Sequence, residues 1–420
     1  MILKGTITID GDKSISHRIL IFAALANSKS TIYNLSLCDD VKRTIGILRN
    51  CNIKIKIGGS STNVYPSIIK QRVKKFYCGN SGTTARFMLG FLPSVGVGGT
   101  VYGDKSLSKR PMKRLIDPLL SMNIKFKNIK NNLPIQFEKS NVQSIKFVLN
   151  HPSAQIKSAL IFAALSSENQ STIRDPFKTR NHTENIIKYL GGEFEKYKKF
   201  IIDGFNYTVP GDISSASFIV ATALLVPGSN INIKNVLFNQ RRVGLISILR
   251  KMGAKIKISN IKMIQFEKVA DINVQYSKLL RSVILSKQDV INMIDEIPVF
   301  ALIACYASGS TLLNHALELR YKESDRIKSG TEILNKLGIK TYSNNNSITI
   351  CGNPNLKLNK KVILSSNLDH RKAITSFIAA SVLGVKILIK NFETVASSFP
   401  NFLKLQKKII GVKYEIKKNY

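Results

Sequence analysis

The stretch GDKSISHRILIFAALA (residues 11–26) decides the fold class of this chain of 420 residues. Its first half is polar and carries Lys13, Ser14 and Arg18, and its second half is small and apolar. Hydroxyl side chains favour the start of a helix, and the unpaired N–H groups of that start attract anions. The stretch predicts a buried helix with an anion site at its first turn, although an ordinary capped helix can show the same residues.

The same pattern recurs along the chain. A polar turn leads into a helix of small and apolar residues, and a β-type strand follows. The six helix segments are SISHRILIFAALA (14–26), SGTTARFMLGFL (81–92), SAQIKSALIFAAL (153–165), DISSASFIVATALL (212–225), DEIPVFALIACYA (295–307) and DHRKAITSFIAASVL (369–383). The strands after them begin near residues 30, 100, 171, 230, 310 and 386. Six copies about 70 residues apart predict a fold built from repeated helix and strand units.

Length and hydropathy set the broad class. A chain of 420 residues exceeds the usual size of a single core, so two domains of about 200 residues each are expected. No run of about 18 uninterrupted apolar residues is present, which predicts that no segment spans a membrane. The first residues, MILKGTITI, read as a strand rather than a signal peptide. We expect a cytoplasmic protein.

The net charge of +37 favours a nucleic acid or an anionic membrane as partner at first sight. The excess is mostly lysine dispersed among isoleucine and asparagine, as in KNIKNN and EKYKKF, a pattern typical of an AT-rich genome. No basic tail, zinc finger or aromatic nucleic-acid motif accompanies it. We therefore predict no nucleic-acid function.

The five cysteines form no CxxC pair, which argues against a zinc site or a disulfide framework. We predict no metal and no cofactor. Cys78 is the candidate for a reactive thiol, because it lies just before a predicted helix start.

Arginines at the repeat junctions are more informative than the dispersed lysines. They lie in Gly/Ser turns or at helix starts, where a guanidinium binds phosphate or carboxylate with two hydrogen bonds. Carboxylates occupy the same turns. The arginines are Arg18, Arg86, Arg110, Arg326 and Arg371, and the carboxylates are Asp295, Glu296, Glu323, Asp325 and Asp369. Together they predict acid–base chemistry on a small polyanion.

A series of motifs carries a resemblance to a known family. In chain order they are GDKSISHR, CGNSGTTAR, GDKSLSKRPM, SAQIKSA, TRNHTE, VPGDISSASF, IDEIP, LRYKESDR and DHRKA. They resemble the motifs of the 5-enolpyruvylshikimate-3-phosphate synthase family, and the match runs from about residue 5 to about residue 402. The resemblance implies an α/β fold, the inverse α/β prism of the enolpyruvyl transferases, with two domains of three βαβαββ repeats each. It places one domain at residues 12–211 and the other at residues 1–11 with 212–420, and the ligands in the cleft between them.

The resemblance also implies a reaction. The enolpyruvyl group of phosphoenolpyruvate moves to the 5-hydroxyl of shikimate 3-phosphate through a tetrahedral intermediate, with release of phosphate, on the pathway to chorismate and the aromatic amino acids. It implies that Asp295 is the general base, that Glu323 is the general acid with a pKa raised by burial, and that Lys13 assists both substrates. These two small molecules are the partners, and the chain is expected to be a monomer.

The binding residues are likewise implied by the resemblance, residue by residue. For shikimate 3-phosphate they are Lys13, Ser14, Arg18, Ser153, Gln155, Thr179, Asp295 and Lys322. For phosphoenolpyruvate they are Lys13, Asn80, Gly82, Arg110, Gln155, Arg326, His370 and Arg371. Ser153 is also open to interpretation as a helix cap only, and His370 as a turn residue only.

Three positions depart from the family pattern. Ser397 stands where a lysine is common, Thr179 where serine is usual, and Lys372 where the helix is usually apolar. Lys372 is expected either to weaken packing or to bring its charge to the edge of the cleft. Two other functions stay open: a UDP-N-acetylglucosamine enolpyruvyl transferase, although Lys13 is followed by serine where that enzyme has asparagine and no cysteine matches its reactive one, and an inactive binding protein of the same fold.

Overall fold

The computed structural model describes residues 2–70, 72–127, 129, 131–357 and 362–410. Within these residues the α-helices are α1 (Lys13–Leu25), α2 (Asp39–Asn50), α3 (Gly82–Ser94), α4 (Lys113–Ser121), α5 (Ala154–Ala164), α6 (His182–Tyr189), α7 (Ile213–Leu225), α8 (Gly244–Lys251), α9 (Lys287–Asn292), α10 (Ile297–Ala304), α11 (Arg326–Lys336), α12 (His370–Leu383) and α13 (Phe402–Ile410). Short 3₁₀ helices occupy Leu107–Lys109, Leu317–Tyr321 and Phe392–Ser397.

The strands of the described residues form small sheets rather than one large sheet. Three sheets with strands from the first half are β11-β2-β4-β3 (Asn206–Thr208, Ser30–Tyr33, Ser61–Tyr65, Lys54–Ile57), β5-β6-β8-β7 (Lys75–Tyr77, Gly99–Tyr102, Ile135–Phe137, Phe126–Lys127) and β9-β10 (Lys146–Val148, Thr172–Arg174). The others are β1-β12-β14-β13 (Lys4–Thr8, Asn230–Leu237, Glu267–Gln275, Ile256–Ile264), β16-β18-β20-β19 (Ile284–Leu285, Ser310–Leu313, Ile348–Cys351, Thr341–Ser343), β15-β17 (Leu280–Arg281, Ala307–Ser308) and β21-β22 (Val362–Ser365, Ile387–Lys390).

The predicted repeat is confirmed. Each of the six predicted segments contains a helix, namely α1, α3, α5, α7, α10 and α12, and a strand follows each where the sequence predicts it. A parallel strand pair accompanies each helix: β11 with β2, β5 with β6, β9 with β10, β1 with β12, β16 with β18 and β21 with β22. In four of these units, those of α3, α5, α10 and α12, the helix connects the two paired strands in a β–α–β crossover. In the other two units the paired strands come from distant parts of the chain, β2 with β11 and β1 with β12.

The six repeated helices are buried, which explains their small and apolar residues. All thirteen residues of α7 are buried. In the first half, Phe22 of α1 and Phe87 of α3 pack edge-on against Phe162 of α5, with ring centroids 5.5 and 5.2 Å away. A side chain at Gly90 of α3 would lie 2.3 Å from the carbonyl oxygen of Ala159, so glycine is required for α3 and α5 to approach each other. In the second half, α7, α10 and α12 also contact one another.

The chain crosses twice between these two groups of sheets. Strand β1 pairs with β12, and strand β11 returns to pair with β2. The connecting segments lie side by side, because the backbone N–H of Asp12 donates to the carbonyl of Pro210 at 2.8 Å and that of Asp212 to the carbonyl of Asp10 at 2.9 Å. These are the pairings that a two-domain division at residues 12 and 211 requires, and the division itself stays a prediction.

Candidate active site

A single cleft is lined by the first turns of five of the repeated helices and by residues just before the sixth, α10. Its lining includes Lys13 and Ser14 from α1, residues 82–83 from α3, residues 153–156 from α5, residues 212 and 214 from α7, residues 294–295 before α10, and residues 370–371 from α12. Free N–H groups and the positive ends of the helix dipoles therefore meet in one place. Side chains add to this field, since eight cationic residues line the cleft beside five carboxylates. The arrangement favours anionic ligands.

Most residues that the sequence singles out meet in this cleft. Those in its lining are Lys13, Ser14, Gly82, Arg110, Ser153, Gln155, Thr179, Asp295, Lys322, Glu323, His370 and Arg371. Three others are placed behind it. Asn80 contacts the guanidinium of Arg110, and Arg326 and Arg18 are buried among protein groups.

Asp295 is surrounded by cations. It pairs with Arg180, its Oδ1 lies 3.4 Å from Nη1 of Arg326, and its Oδ2 lies 3.7 Å from Nη2 of Arg371. Burial by itself raises the pKa of Asp295, but these arginines together with Lys322 outweigh it and hold the pKa well below its usual value of 3.8. The carboxyl group is ionised at neutral pH.

Glu323 corrects a prediction from the sequence. Its carboxylate lies 2.6 Å from Nη2 of Arg326 and 3.7 Å from Nη1 of Arg110. Burial raises its pKa, as predicted, but Arg326, Arg110 and His370 lower it further, and the pKa lies well below its usual value of 4.5. The expected raised pKa is wrong for the ligand-free site because burial here also brings two guanidinium groups within ion-pair distance.

Arg326 ties the two acidic groups together from behind the cleft. Besides Asp295 and Glu323 it binds Asp369, the N-cap residue of α12, through Nε at 2.9 Å. Its side chain is 1% exposed. Burial lowers the pKa of Arg326, but the three carboxylates raise it above its usual value, so this cation stays charged. Among the described residues Arg326 is not part of the cleft lining.

Lys13 and Asp40 form a second charged pair on the cleft wall. The Nζ of Lys13 lies 2.8 Å from Oδ2 of Asp40 on α2. Burial lowers the pKa of Lys13, but Asp40 reverses this effect and raises it, so the lysine carries its proton. The backbone N–H of Lys13 donates to Asp212, the N-cap residue of α7, at 3.1 Å, so each group of helices contacts the other here.

Arg18 does not reach the cleft. Its Nε donates to the hydroxyl of Thr183 at 2.8 Å, its Nη2 to that of Ser158 at 2.8 Å, and its Nη1 to the carbonyl of Ser14 at 2.7 Å. The guanidinium also lies over the ring of Phe87. The residue faces inward from the second turn of α1, so it supports Ser14 rather than the cleft surface.

Ser153 and His370 both lie at helix starts that line the cleft. The hydroxyl of Ser153 caps α5 by accepting from the N–H of Ile156 at 3.3 Å, and the residue also lines the cleft. His370 is the first residue of α12 and lines the cleft as well. Burial, with Lys13 and Arg371 nearby, lowers its pKa well below 6.5, so the ring is neutral. Its Nε2 is buried without a hydrogen-bond partner among the described residues.

The three departures from the family pattern have different placements. The hydroxyl of Thr179 donates to Asp175 at 2.6 Å. Lys372 is 3% exposed and lines an apolar cavity between α10 and α11, so its charge is away from the cleft and burial lowers its pKa. Ser397 ends the last 3₁₀ helix and does not belong to the lining of the cleft among the described residues.

Several cleft residues were missed by the sequence analysis as site residues. Arg180 pairs with Asp295 and lies in the motif TRNHTE, which was the available signal. Arg86, which the sequence did single out among the junction arginines, donates to Oε1 of Gln155 at 2.9 Å. Arg114 and Arg242 also line the cleft, where Arg242 lies 3.2 Å from Asp12. No motif carries them, because only long-range packing brings them there.

The position of Cys78 argues against a reactive thiol. It is fully buried, and burial raises its pKa above its usual value of 9.0. No group of three or more His, Cys, Asp or Glu side chains in the described ranges is placed to hold a metal ion. None of the helices that the structure describes is long and apolar enough to cross a membrane.

Comparison with solved structures identifies the fold class of the chain. The enolpyruvyl transferase NikO from Streptomyces tendae has a TM-score of 0.74 at 14% identity over 97% of this chain and 95% of its own, which shows the fold. EPSP synthase from Acinetobacter baumannii has a TM-score of 0.82 at 31% identity over 97% of this chain and 96% of its own. The chain has the enolpyruvyl transferase fold.

Sequence comparison then gives the family. A model of the EPSP synthase (3-phosphoshikimate 1-carboxyvinyltransferase) family matches residues 2–405. The 3-phosphoshikimate 1-carboxyvinyltransferase of Oceanobacillus iheyensis is 38% identical over 96% of this chain and 95% of its own length, and that of Thermotoga neapolitana 36% over 97% and 98%. The chain belongs to the EPSP synthase family, which confirms the resemblance found in its motifs.

Proposed function

We propose that the chain transfers the enolpyruvyl group of phosphoenolpyruvate to the 5-hydroxyl of shikimate 3-phosphate, with release of phosphate. Family membership over nearly the whole chain supports this activity. The cleft adds chemical support, because both substrates are anions and its cations outnumber its carboxylates. The proposal favours this acceptor over UDP-N-acetylglucosamine. Monomeric state and cytoplasmic location remain predictions.

One observation carries the mechanism: Arg326 contacts both Asp295 and Glu323. Two carboxylates held by one buried cation face the same cleft from different elements, one before α10 and one before α11. The reaction needs two groups of this kind, because the hydroxyl loses a proton while C3 of phosphoenolpyruvate gains one. We assign Asp295 as the general base and Glu323 as the general acid.

Substrate binding allows Glu323 to take up from water the proton that it must donate. In the free site the arginines hold both carboxyl groups ionised. Phosphate and carboxylate groups of the substrates neutralise these arginines, which weakens their effect, so burial can then raise the pKa of Glu323. The protonated Glu323 transfers its proton to C3 as the 5-hydroxyl attacks C2, and Asp295 accepts the hydroxyl proton. When the C2–O bond to phosphate breaks, Glu323 takes a proton back from C3 and the departing phosphate takes the proton held by Asp295, so Asp295 is again ionised.

The other cleft residues bind and orient the substrates. We assign the phosphoenolpyruvate side to Gly82, Arg110, His370 and Arg371, and the shikimate 3-phosphate side to Ser14, Ser153, Thr179 and Lys322, with Lys13 and Gln155 between them. Three further residues act from behind the cleft surface. Asn80 acts through Arg110, Arg326 acts through Asp295 and Glu323, and Arg18 acts through Ser14.

The test measures phosphate release from phosphoenolpyruvate with shikimate 3-phosphate or UDP-N-acetylglucosamine as the acceptor. We expect turnover with shikimate 3-phosphate alone, and a loss of at least about 100-fold in kcat for Asp295→Asn and Glu323→Gln. The control is Glu332→Gln, an exposed position on α11, the helix that begins just after Glu323. Turnover with the sugar nucleotide would refute the proposal, and binding of both substrates without turnover would indicate an inactive binding protein.

A further inference from the structure

Two segments far apart in the chain meet at the edge of the cleft. One is the turn and helix start at residues 106–114, and the other is the loop at residues 317–325 that carries Lys322 and Glu323. The Nη1 of Arg114 lies 2.9 Å from Oε1 of Glu318, and the hydroxyl of Ser106 donates to the carbonyl of Glu323 at 3.3 Å. These contacts link segments separated by about 200 residues.

The loop is already held on its other side. Arg320 pairs with Asp325 at 2.6 Å, and it donates to the carbonyls of Asn344 and Asn345 at 2.9 and 3.0 Å. Lys322 and Glu323 lie between this anchor and the contacts with the first segment. Their positions relative to the cleft therefore depend on both anchors.

Arg114 holds two points of the loop at once. Its guanidinium bonds Glu318 and also lies over the ring of Tyr321, with 5.0 Å to the ring centroid. A planar guanidinium can donate along its edge while its face covers an aromatic ring. The two contacts fix the start and the end of the 3₁₀ helix that immediately precedes Lys322.

We infer that Arg114 is a positioning residue for the transfer reaction, which places Lys322 and Glu323 through its contacts with Glu318 and Tyr321. The inference rests on the proposed function. The side chains of the pair are 32% and 24% exposed, and an ion pair that water reaches contributes little to stability. A small displacement of a reacting group, by contrast, costs much of the rate. The pair therefore acts on catalysis rather than on folding.

The experiment reverses the charges of the pair. We expect Arg114→Glu and Glu318→Arg each to lower kcat with shikimate 3-phosphate about tenfold or more. We expect the double variant to return to within about threefold of the parent, because it restores the pair. Thermal unfolding measured in parallel is expected to change little. Lys113→Glu is the matched control, since this neighbour pairs only with Asp117 on its own helix among the described residues, at 3.1 Å, and should leave kcat unchanged.

Two results would overturn the inference: single variants with the parent kcat, or a double variant no faster than the slower single variant. A loss of thermal stability with unchanged kcat would show a structural role instead and would equally overturn it. If a charge reversal prevents folding, Arg114→Gln and Arg114→Lys give the same test, and a parent kcat in both would overturn it. An inactive parent protein contradicts the proposed function and is distinguishable from all of these results.

Discussion

The imidazole of His182 and the carboxylate of Glu267 meet 2.6 Å apart with both side chains buried. His182 begins α6 and Glu267 begins β14, so the contact joins the two groups of sheets. Arg242 can only donate, and its Nη1 lies 3.2 Å from Nε2 of His182. The other ring nitrogen, Nδ1, therefore carries the proton that is donated to Glu267. Burial raises the pKa of Glu267, but His182 and Asn239 outweigh it and lower the pKa.

His182→Ala is expected to destabilise the protein by about 3–5 kcal/mol, because it leaves Glu267 buried without its main partner. Urea unfolding at neutral pH measures this loss. His151→Ala is the control, since the ring of His151 contacts its neighbour Asn150. A loss below 1 kcal/mol, similar to that of the control, would contradict the assigned importance of the pair.

Gly82→Ala is expected to raise KM for phosphoenolpyruvate about tenfold with little effect on stability. A Cβ at Gly82 would lie 2.7 Å from Nη1 of Arg86 and 2.9 Å from Nη1 of Arg110, so both flexible guanidinium groups must move. Gly46→Ala on α2 is the control, because nothing lies within 4 Å of its Cβ and alanine favours a helix. An unchanged KM in steady-state assays of Gly82→Ala would show that the two arginines move without consequence.

The Asp295→Asn substitution is expected to make the free energy of unfolding less dependent on pH in the acidic range. The pKa of Asp295 is lower in the folded chain than its unfolded value of 3.8, so its contribution is present above that value and is lost as the pH falls through 3.8 toward the lowered pKa. Asp295→Asn should therefore be less stable than the parent at pH 7, and the difference should shrink toward pH 3. Chemical denaturation at several pH values measures it, and a constant difference would refute the assigned cause.

Lys372→Met is expected to stabilise the protein by about 1 kcal/mol at pH 7 and to leave kcat unchanged. Burial lowers the pKa of Lys372 below 10.5, so folding disfavours the charged form, and the parent gains stability as the pH rises toward 10.5. The difference in stability between the Lys372→Met variant and the parent should therefore shrink at alkaline pH. Comparison of urea midpoints at pH 7 and near pH 10 tests this, and a less stable variant would mean that the ammonium group has a favourable role.

The sequence predicted the repeat well, because local signals define it. A capping residue such as Ser81 or Asp212 marks where a buried helix begins, and a run of small residues such as ASFIVATALL shows that the helix is covered on all sides. Only the family resemblance indicated that the chain crosses twice between the two groups of sheets. Nothing in residues 4–8 indicates a partner at residues 230–234.

The site was predicted less completely, and the reason is physical. Motifs show which residues lie near a helix start, but the direction of a side chain depends on packing. Arg18 and Ser14 belong to one motif, yet Arg18 faces inward and Ser14 faces the cleft. The pKa of Glu323 was predicted in the wrong direction because the sequence does not show that burial places Arg326 at 2.6 Å.

The pairing of β1 with β12 has a consequence for synthesis on the ribosome. Strand β1 leaves the ribosome well before its partner β12, which is made about 220 residues later. At roughly 5–20 residues per second, the nascent N-terminal segment waits for about 10 to 40 seconds with its backbone donors and acceptors unpaired. The first group of three helices faces a similar delay, because β11 must be made before it can pair with β2. Both sheets are therefore completed late in synthesis, and until then their edges stay open to pairing with other chains.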